Sequence, residues 1–316
     1  MLRHMLNLLL PQLTKNDAES QTANMQVYLS AGGEPAKYQS ILSALAEQGL
    51  NIVAHTEVQG GWKLALANAS LDAKTLSAGF RSLSEVTDVD IAFVDVKPTP
   101  SLAAPGILFM DMDSTLIQCE CIDEIADFLG IKLQIAAITQ SAMEGKLDFS
   151  ESLIERVKLL AGLDESVLKQ VYDERIRLTD GAENLIKIVQ SNGWKVGLVS
   201  GGFTYFTALL KARLNLDFTA ANTLEIVDGK LTGRVLGSIV DATVKQELLK
   251  SQSQVWDIDL SNSVALGDGA NDLPMLNTAG LGIAFHAKPR VRESAPYALS
   301  KGGLDQALQL LTPVQG

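Results

Sequence analysis

Four short clusters in this chain combine carboxylates, a lysine and glycine-rich turns, the residue types that could act together on a phosphoryl group. Asp111-Met112-Asp113-Ser114-Thr115 follows the apolar run Ile107-Leu108-Phe109-Met110. Ser200-Gly201-Gly202 follows the run that closes with Val199. Lys245 opens a polar-apolar stretch, and Gly267-Asp268-Gly269-Ala270-Asn271-Asp272 follows Val264-Ala265-Leu266. A carboxylate can attack phosphorus and form an aspartyl-phosphate, which splits one hard hydrolysis into two steps. A neighbouring carboxyl can protonate the leaving alkoxide and then activate water. Oxygen donors such as Asp111 and Asp268 suit Mg2+, which keeps waters and shares phosphate oxygens. The glycine pair after Ser200 is expected to open a helix and free its first backbone N–H groups for an anion. Lys245 adds a point charge for phosphoryl oxygens.

Each cluster alone has a plain structural explanation. An Asp-x-Asp after a strand is commonly a solvated turn or a helix cap, Ser-Gly-Gly a loop, and a lone lysine a surface group. None is a dinucleotide fingerprint or a Walker-type loop. The signal lies in all four occurring in this order, each at the end of an expected element.

Those elements must bring the clusters together. Ile107 to Met110 is a continuous apolar run, as in a strand buried on both faces of a parallel sheet. Ligands of such sheets bind beyond the carboxyl ends of the strands. Trp194 to Val199 and Val264 to Leu266 read the same way, Ile283 to Phe285 and Tyr297 to Leu299 read as edge strands, and Asp228-Gly229 marks a hairpin within 223–236. Residues 120 to about 176 read as mostly helical, with Ser150 as an N-cap and Leu153, Ile154, Val157, Leu160 and Ala161 as the stripe behind it. This block interrupts the strand-helix alternation and is large enough to cover the site. The whole is a doubly wound, mostly parallel α/β fold with an inserted helical cap.

Upstream, Val27 to Leu29, the stripe Tyr38, Ile41, Leu42, Leu45, the hairpin Asn51 to Glu57 and Trp62 to Ala67, a helix through Leu76, Phe80 and Leu83, and Ile91 to Val96 follow the order βαββαβ. This is a split ferredoxin-like α+β unit. Lys97-Pro98-Thr99-Pro100-Ser101 reads as a linker. The expected division is 1–97, with 1–24 unassigned, a linker at 98–104, and a core at 105–316 carrying the cap at about 120–178.

The 316 residues are enough for two such units, and 47% apolar residues can fill their cores. A net charge of −11 argues against nucleic acid and anionic membrane as partners. An anionic substrate would need local cations at its site. Cys119 and Cys121 stand too close to bridge and form no zinc set. No apolar run approaches a membrane span, and the patch Leu8-Leu9-Leu10 makes a poor signal peptide. The expected location is the cytoplasm.

Together, Asp111-Met112-Asp113-Ser114-Thr115-Leu116, Ser200-Gly201-Gly202-Phe203, Lys245 and Gly267 to Asp272 resemble the four motifs of the haloacid dehalogenase superfamily. More narrowly, the cap segments Ile122 to Ala126 and Met143 to Phe149 resemble its phosphoserine phosphatase branch, over roughly 105–300. The resemblance implies a Mg2+-dependent hydrolase that converts O-phospho-L-serine to serine and phosphate, the last step of serine biosynthesis. It implies Asp111 as nucleophile and metal ligand, Asp113 as general acid/base and metal ligand through its backbone carbonyl, Asp268 as a further ligand and Asp272 behind them. Ser200, Gly201 and Lys245 would hold the phosphoryl group, with Asn271 nearby. In the cap, Glu120 would meet the substrate ammonium, Arg156 its carboxylate, and Met143 and Phe149 would wall the pocket. The position of Arg156 at the margin of an apolar stripe fits that role, since a guanidinium grips a carboxylate with two hydrogen bonds. His4, His55 and His286 match no catalytic position.

The upstream unit resembles ACT-like regulatory modules in topology, which implies edge-to-edge pairing into a homodimer and amino-acid binding near Ala31 to Pro35, or else a purely structural role. Two rival functions remain at this level. One is a phosphatase or phosphotransferase for another small phosphorylated amino acid such as phosphohomoserine; the other is a non-catalytic amino-acid sensor.

Overall fold

A computed structural model of the chain describes residues 23–31, 34–95, 100–143 and 146–311. The expectations for 1–22, Gly32-Gly33, Val96 to Thr99 and the Met143 side chain fall outside the described residues.

The first unit runs β1 (Met25–Ser30), α1 (Pro35–Glu47), β2 (Asn51–Val58), β3 (Gly61–Ala67), α2 (Ala73–Gly79), α3 (Arg81–Thr87) and β4 (Ile91–Asp95). Its strands form an antiparallel sheet in the order β2-β3-β1-β4. Val27, Leu29, Leu64 and Leu66 pack one face against Tyr38, Ile41, Leu42 and Leu45 of α1, the stripe expected from spacing. The single helix expected through Leu76, Phe80 and Leu83 is two short ones. Phe80 adopts φ −94°, ψ 2° between them and keeps its side chain in the core.

The second unit begins with β5 (Ile107–Met110) and closes a seven-stranded sheet in the order β11-β10-β9-β5-β6-β7-β8. Here β6 is Lys195–Phe203, β7 Phe218–Val227, β8 Lys230–Leu236, β9 Ser263–Gly267, β10 Leu281–Phe285 and β11 Tyr297–Leu299. All neighbours are parallel except the β7–β8 hairpin, which turns through Asp228 and Gly229, both at positive φ. Only β11 of the two expected edge strands is an edge, because β10 is flanked on both sides. Alternate residues of β5 feed two cores. Leu108 and Met110 join α8 (Ala182–Ser191) and α9 (Thr204–Leu214). Ile107 and Phe109 join α10 (Ala242–Trp256) and α11 (Leu273–Thr278). Helices therefore cover both faces, as a doubly wound sheet requires.

Among the described residues, four α-helices stand between β5 and α8: α4 (Cys121–Phe128), α5 (Lys132–Met143), α6 (Phe149–Lys158) and α7 (Ser166–Glu174). Two chain segments carry this cap. The outgoing leg pairs with the returning one through Gln118 N–H to Arg177 O (3.0 Å) and Thr179 N–H to Leu116 O (2.9 Å). The expected N-cap at Ser150 is corrected to Asp148, which accepts from Glu151 N–H at 2.8 Å while the Glu151 carboxylate accepts from Asp148 N–H at 2.9 Å. This reciprocal capping box puts the cap two residues before the expected one and starts α6 at Phe149. The buried stripe is Leu153, Val157 and Leu160; Ile154 and Ala161 are exposed.

Candidate active site

Sheet register brings the distant clusters together. Met110 of β5 lies level with Leu198 of β6 on one side and Leu266 of β9 on the other. All three strands run parallel, so Asp111 and Asp268 leave the sheet at the same edge, and Ser200, still in β6, lies within two residues of that level. Asp111 N–H still donates to Leu266 O at 2.9 Å, which fixes where the carboxylate departs. The chain then turns sharply over Met112–Leu116, with Ser114 at φ +55°. A left-handed serine costs about 1 kcal/mol. Two hydrogen bonds hold it there: Ser114 N–H to Cys119 O (3.2 Å), and Ser114 Oγ to the Glu120 carboxylate (2.6 Å).

Lys245 is wholly buried, and its ammonium lies between two carboxylates, Asp111 Oδ1 at 2.8 Å and Asp272 Oδ1 at 2.7 Å. Burial alone would lower the lysine's pKa, but the two carboxylates outweigh it and hold the group charged. The Asp241 side chain accepts from Val244 N–H at 2.9 Å, capping α10 one turn before this point. Asp272 is spoken for on both oxygens, because Gly269 N–H donates to Oδ2 at 3.0 Å. It therefore braces the Gly267 to Asp272 loop and Lys245 together.

Asp111, Asp268 and Asp272 offer oxygens all within 4.8 Å of one another. Three carboxylates face one lysine, so the cluster carries excess negative charge in a largely buried place. Burial, reinforced by Asp272, raises Asp111 well above the usual carboxylate range and raises Asp268 to about 6. An all-oxygen, electron-rich set with charge to spare fits a hard divalent cation. Thr115 Oγ1 donates to Asp268 Oδ1 at 3.1 Å and aims that carboxylate.

Asp113 is kept apart from this set. Cys121 N–H donates to its Oδ1 at 2.8 Å and Ser200 Oγ to its Oδ2 at 3.3 Å. Burial raises its pKa, which favours the protonated acid. The Ser200 loop departs from expectation. Strand β6 runs through to Phe203 and α9 begins only at Thr204, so the glycines lie in a strand end and not in a first helical turn. Gly202 N–H is used locally, donating to Ser200 Oγ at 2.8 Å. Asn222 of β7 holds the loop from behind, donating to Gly201 O at 2.8 Å and accepting from Val240 N–H at 2.8 Å.

The cap brings Glu120, Arg156 and Phe149 toward this edge. Burial, then the Asp113 charge, raise Glu120 to about 7. The Arg156 Nε donates to Ser152 O at 3.2 Å, and the guanidinium makes no ion pair among the described residues. Phe149 lies against the Ser200 loop, where a Cβ on Gly201 would stand 2.7 Å from its ring. Asn271 is half-buried beside Asp272, and a Cβ on Gly269 would strike its side chain. His286 is turned away, with Nε2 2.9 Å from Gly302 O, and the two cysteines are free. Residues the expectations missed are Ser114, Thr115, Cys121 and Asn222. Thr115 stood inside a quoted motif, and Asn222 was a polar residue in an otherwise strand-forming run.

The haloacid dehalogenase-like hydrolase family matches residues 108–277. A phosphoserine phosphatase of Haemophilus influenzae is 49% identical over 233 residues, covering 74% of this chain and 73% of the relative. A haloacid dehalogenase family hydrolase of Salmonella enterica serovar Typhi superposes with a TM-score of 0.83 at 35% identity, over 93% of this chain and all of that one. A phospho-aspartyl intermediate analogue of a phosphoserine phosphatase superposes with a TM-score of 0.62 at 41% identity, over 66% of this chain and 99% of that one. The chain belongs to the haloacid dehalogenase-like hydrolases, in the branch that holds the phosphoserine phosphatases.

Proposed function

We propose that the protein is a Mg2+-dependent phosphoserine phosphatase, acting on O-phospho-L-serine in the cytoplasm as the last step of serine biosynthesis. The observation that carries this reading is the convergence of Asp111, Asp113, Ser200, Lys245 and Asp268, from separate segments, at one sheet edge under a cap. Family membership and the relatives named above support it.

In the first step the Asp111 carboxylate attacks phosphorus. The bond from phosphorus to the serine oxygen breaks, its electron pair goes to that oxygen, and Asp113 supplies the proton. In the second step Asp113 takes a proton from water, the water oxygen attacks phosphorus, and phosphate leaves with Asp111 restored. A raised pKa suits Asp113, which must begin as an acid. Asp111 must begin ionised, and Lys245 at 2.8 Å favours that form. Ser200, Gly201 and Lys245 hold the phosphoryl oxygens, with Asn271 beside them. Asp111, the Asp113 backbone carbonyl and Asp268 are the groups that would hold Mg2+, with Asp272 behind. The cation supplies neutralisation of phosphoryl charge. Glu120 and Arg156 receive the ammonium and carboxylate of the substrate, and Phe149 walls the pocket. The cap shuts over the substrate and excludes water.

The division into an ACT-like unit at 1–97, a linker at 98–104 and a core at 105–316 belongs to the same reading. One buried apolar cluster lies wholly in the first unit and another wholly in the second, which supports it, while a third joins Tyr28, Ala92 and Val94 of the first unit to the core of the second. We extend it to a homodimer formed through the first unit. No helix among the described residues is long and apolar enough to cross a membrane, in keeping with a cytoplasmic site of action.

The test is phosphate release from O-phospho-L-serine with and without Mg2+, beside phosphothreonine and phosphoethanolamine. Mg2+-dependent release that falls sharply when the substrate carboxylate is absent is expected. Equal rates without divalent cation, or no release from phosphoserine, would overturn the proposal.

A further inference from the structure

The first unit touches the catalytic core at a telling place. Its β2–β3 turn, Gln59-Gly60, rests on the turn of 3-10 helix Leu304–Leu310. Gln59 Nε2 donates to Asp305 Oδ2 at 3.2 Å. The Tyr28 hydroxyl lies within hydrogen-bonding distance of both Gly60 O, at 2.9 Å, and the Gln306 side-chain amide. The fit is close, since a Cβ on Gly60 would stand 2.1 Å from Gln306 Oε1.

The same short helix grips the returning leg of the cap. Leu304 N–H donates to Asp180 O at 2.7 Å, one residue past Thr179, whose own N–H closes the hinge on Leu116. Asn184 Nδ2 donates to Asp305 Oδ2 at 2.9 Å, the oxygen that also receives Gln59. Gly181, at φ +77°, leaves room for this approach; a Cβ there would stand 2.4 Å from Asp305 Oδ1. One buried carboxylate oxygen thus joins the regulatory-type sheet to the segment that the cap swings from.

We propose that Asp305 is a positioning residue which ties the N-terminal sheet, through Gln59 and Asn184, to the hinge of the cap. Its effect on turnover rests on the phosphatase reading above; the mechanical link does not. The first unit then sets how freely the cap opens, without touching the substrate. A ligand or second copy that shifted the β2–β3 turn would be felt at the hinge.

The deciding variant is Gln59→Leu, because Gln59 is exposed and its loss leaves both cores intact. Amide hydrogen exchange is read on the full chain at Gln118 and Thr179, the two hinge amides. Exchange there should rise roughly threefold to tenfold, with β1 and β5 unchanged. Gln59→Lys, which keeps a donor for Asp305, should restore the parent rate. KM and kcat for O-phospho-L-serine should shift together by about threefold in Gln59→Leu. Parent-like exchange at both hinge amides in Gln59→Leu would overturn the proposal. The exchange readout needs no substrate. A parent protein that released no phosphate would sink the phosphatase reading and leave this one to be decided by exchange alone.

Discussion

On the floor of the pocket Lys245 touches two carboxylates; in the cap Arg156 touches none among the described residues. The floor is a set of charges largely closed within the fold, its surplus negative charge suited to a divalent cation. Lys245 joins Asp111 to Asp272, Gly269 N–H holds the second Asp272 oxygen, and Thr115 holds one oxygen of Asp268. The cap is an open set. Glu120 has one hydroxyl partner, and Arg156 has a backbone carbonyl. A closed set is fixed by folding, while an open set is completed by what enters. On the proposed reading, reaction type is thus built into the sheet edge, and substrate choice is left to the lid.

The largest effect should come from the floor. Asp111→Asn keeps the shape but removes the attacking carboxylate, and phosphate release should fall by on the order of 10^3-fold or more. Near-parent turnover would show that the floor is not where the reaction occurs. Lys245→Met should strike stability as well, because it strands Asp111 and Asp272 as buried like charges. A loss of about 3 kcal/mol in denaturant unfolding is expected. Arg156→Lys tests the other side of the contrast. It should lower kcat/KM for phosphoserine by about 10- to 100-fold through loss of a bidentate grip, with unfolding free energy within about 0.5 kcal/mol of the parent. If Arg156→Lys destabilised the fold as Lys245→Met does, the distinction between closed and open sets would fail.

The smallest effect is a pH profile. Glu120 in the substrate-free protein titrates at about 7, raised by burial and by Asp113. As pH falls below that value the group becomes neutral and loses its pull on an ammonium. KM should climb by up to about tenfold per pH unit below 7 and level off above it. Glu120→Gln should bring a high, pH-independent KM in this range. A parent KM flat from pH 5.5 to 8 would remove Glu120 from substrate recognition.

The apolar runs ending at Met110, Val199 and Leu266 made the sheet edge legible, because a buried parallel strand writes its extent directly into composition. Capping was less well read. Asp148 and Glu151 stood in the sequence as a capping box, yet Ser150 drew attention because serine is a common cap taken by itself. The helix through Phe80 was read as one since the spacing of apolar residues carries no sign of a local break in ψ. The left-handed Ser114 was illegible for a related reason. Its conformation follows from Cys119 O and Glu120, partners that only the completed turn supplies. Arg156 was found at the rim of a stripe, but two of that stripe's members, Ile154 and Ala161, proved exposed. The helix α6 also packs against β8, a long-range contact that periodicity does not encode.

The central position of β5 has a consequence for synthesis. The strand is bordered by β6 and β9, both made later, and its carboxylate is balanced by a lysine made later still than β6. A nascent chain therefore exposes Asp111, the proposed nucleophile, long before it can hold a cation or a phosphate. Pairings of such sequence separation form slowly. On the proposed reading, the emerging polypeptide should stay chemically silent until the Gly267 to Asp272 loop has left the ribosome and the late strand has docked. Chains truncated before Gly267 carry Asp111 without Asp268 and Asp272 and, on the same reading, should release no phosphate from phosphoserine.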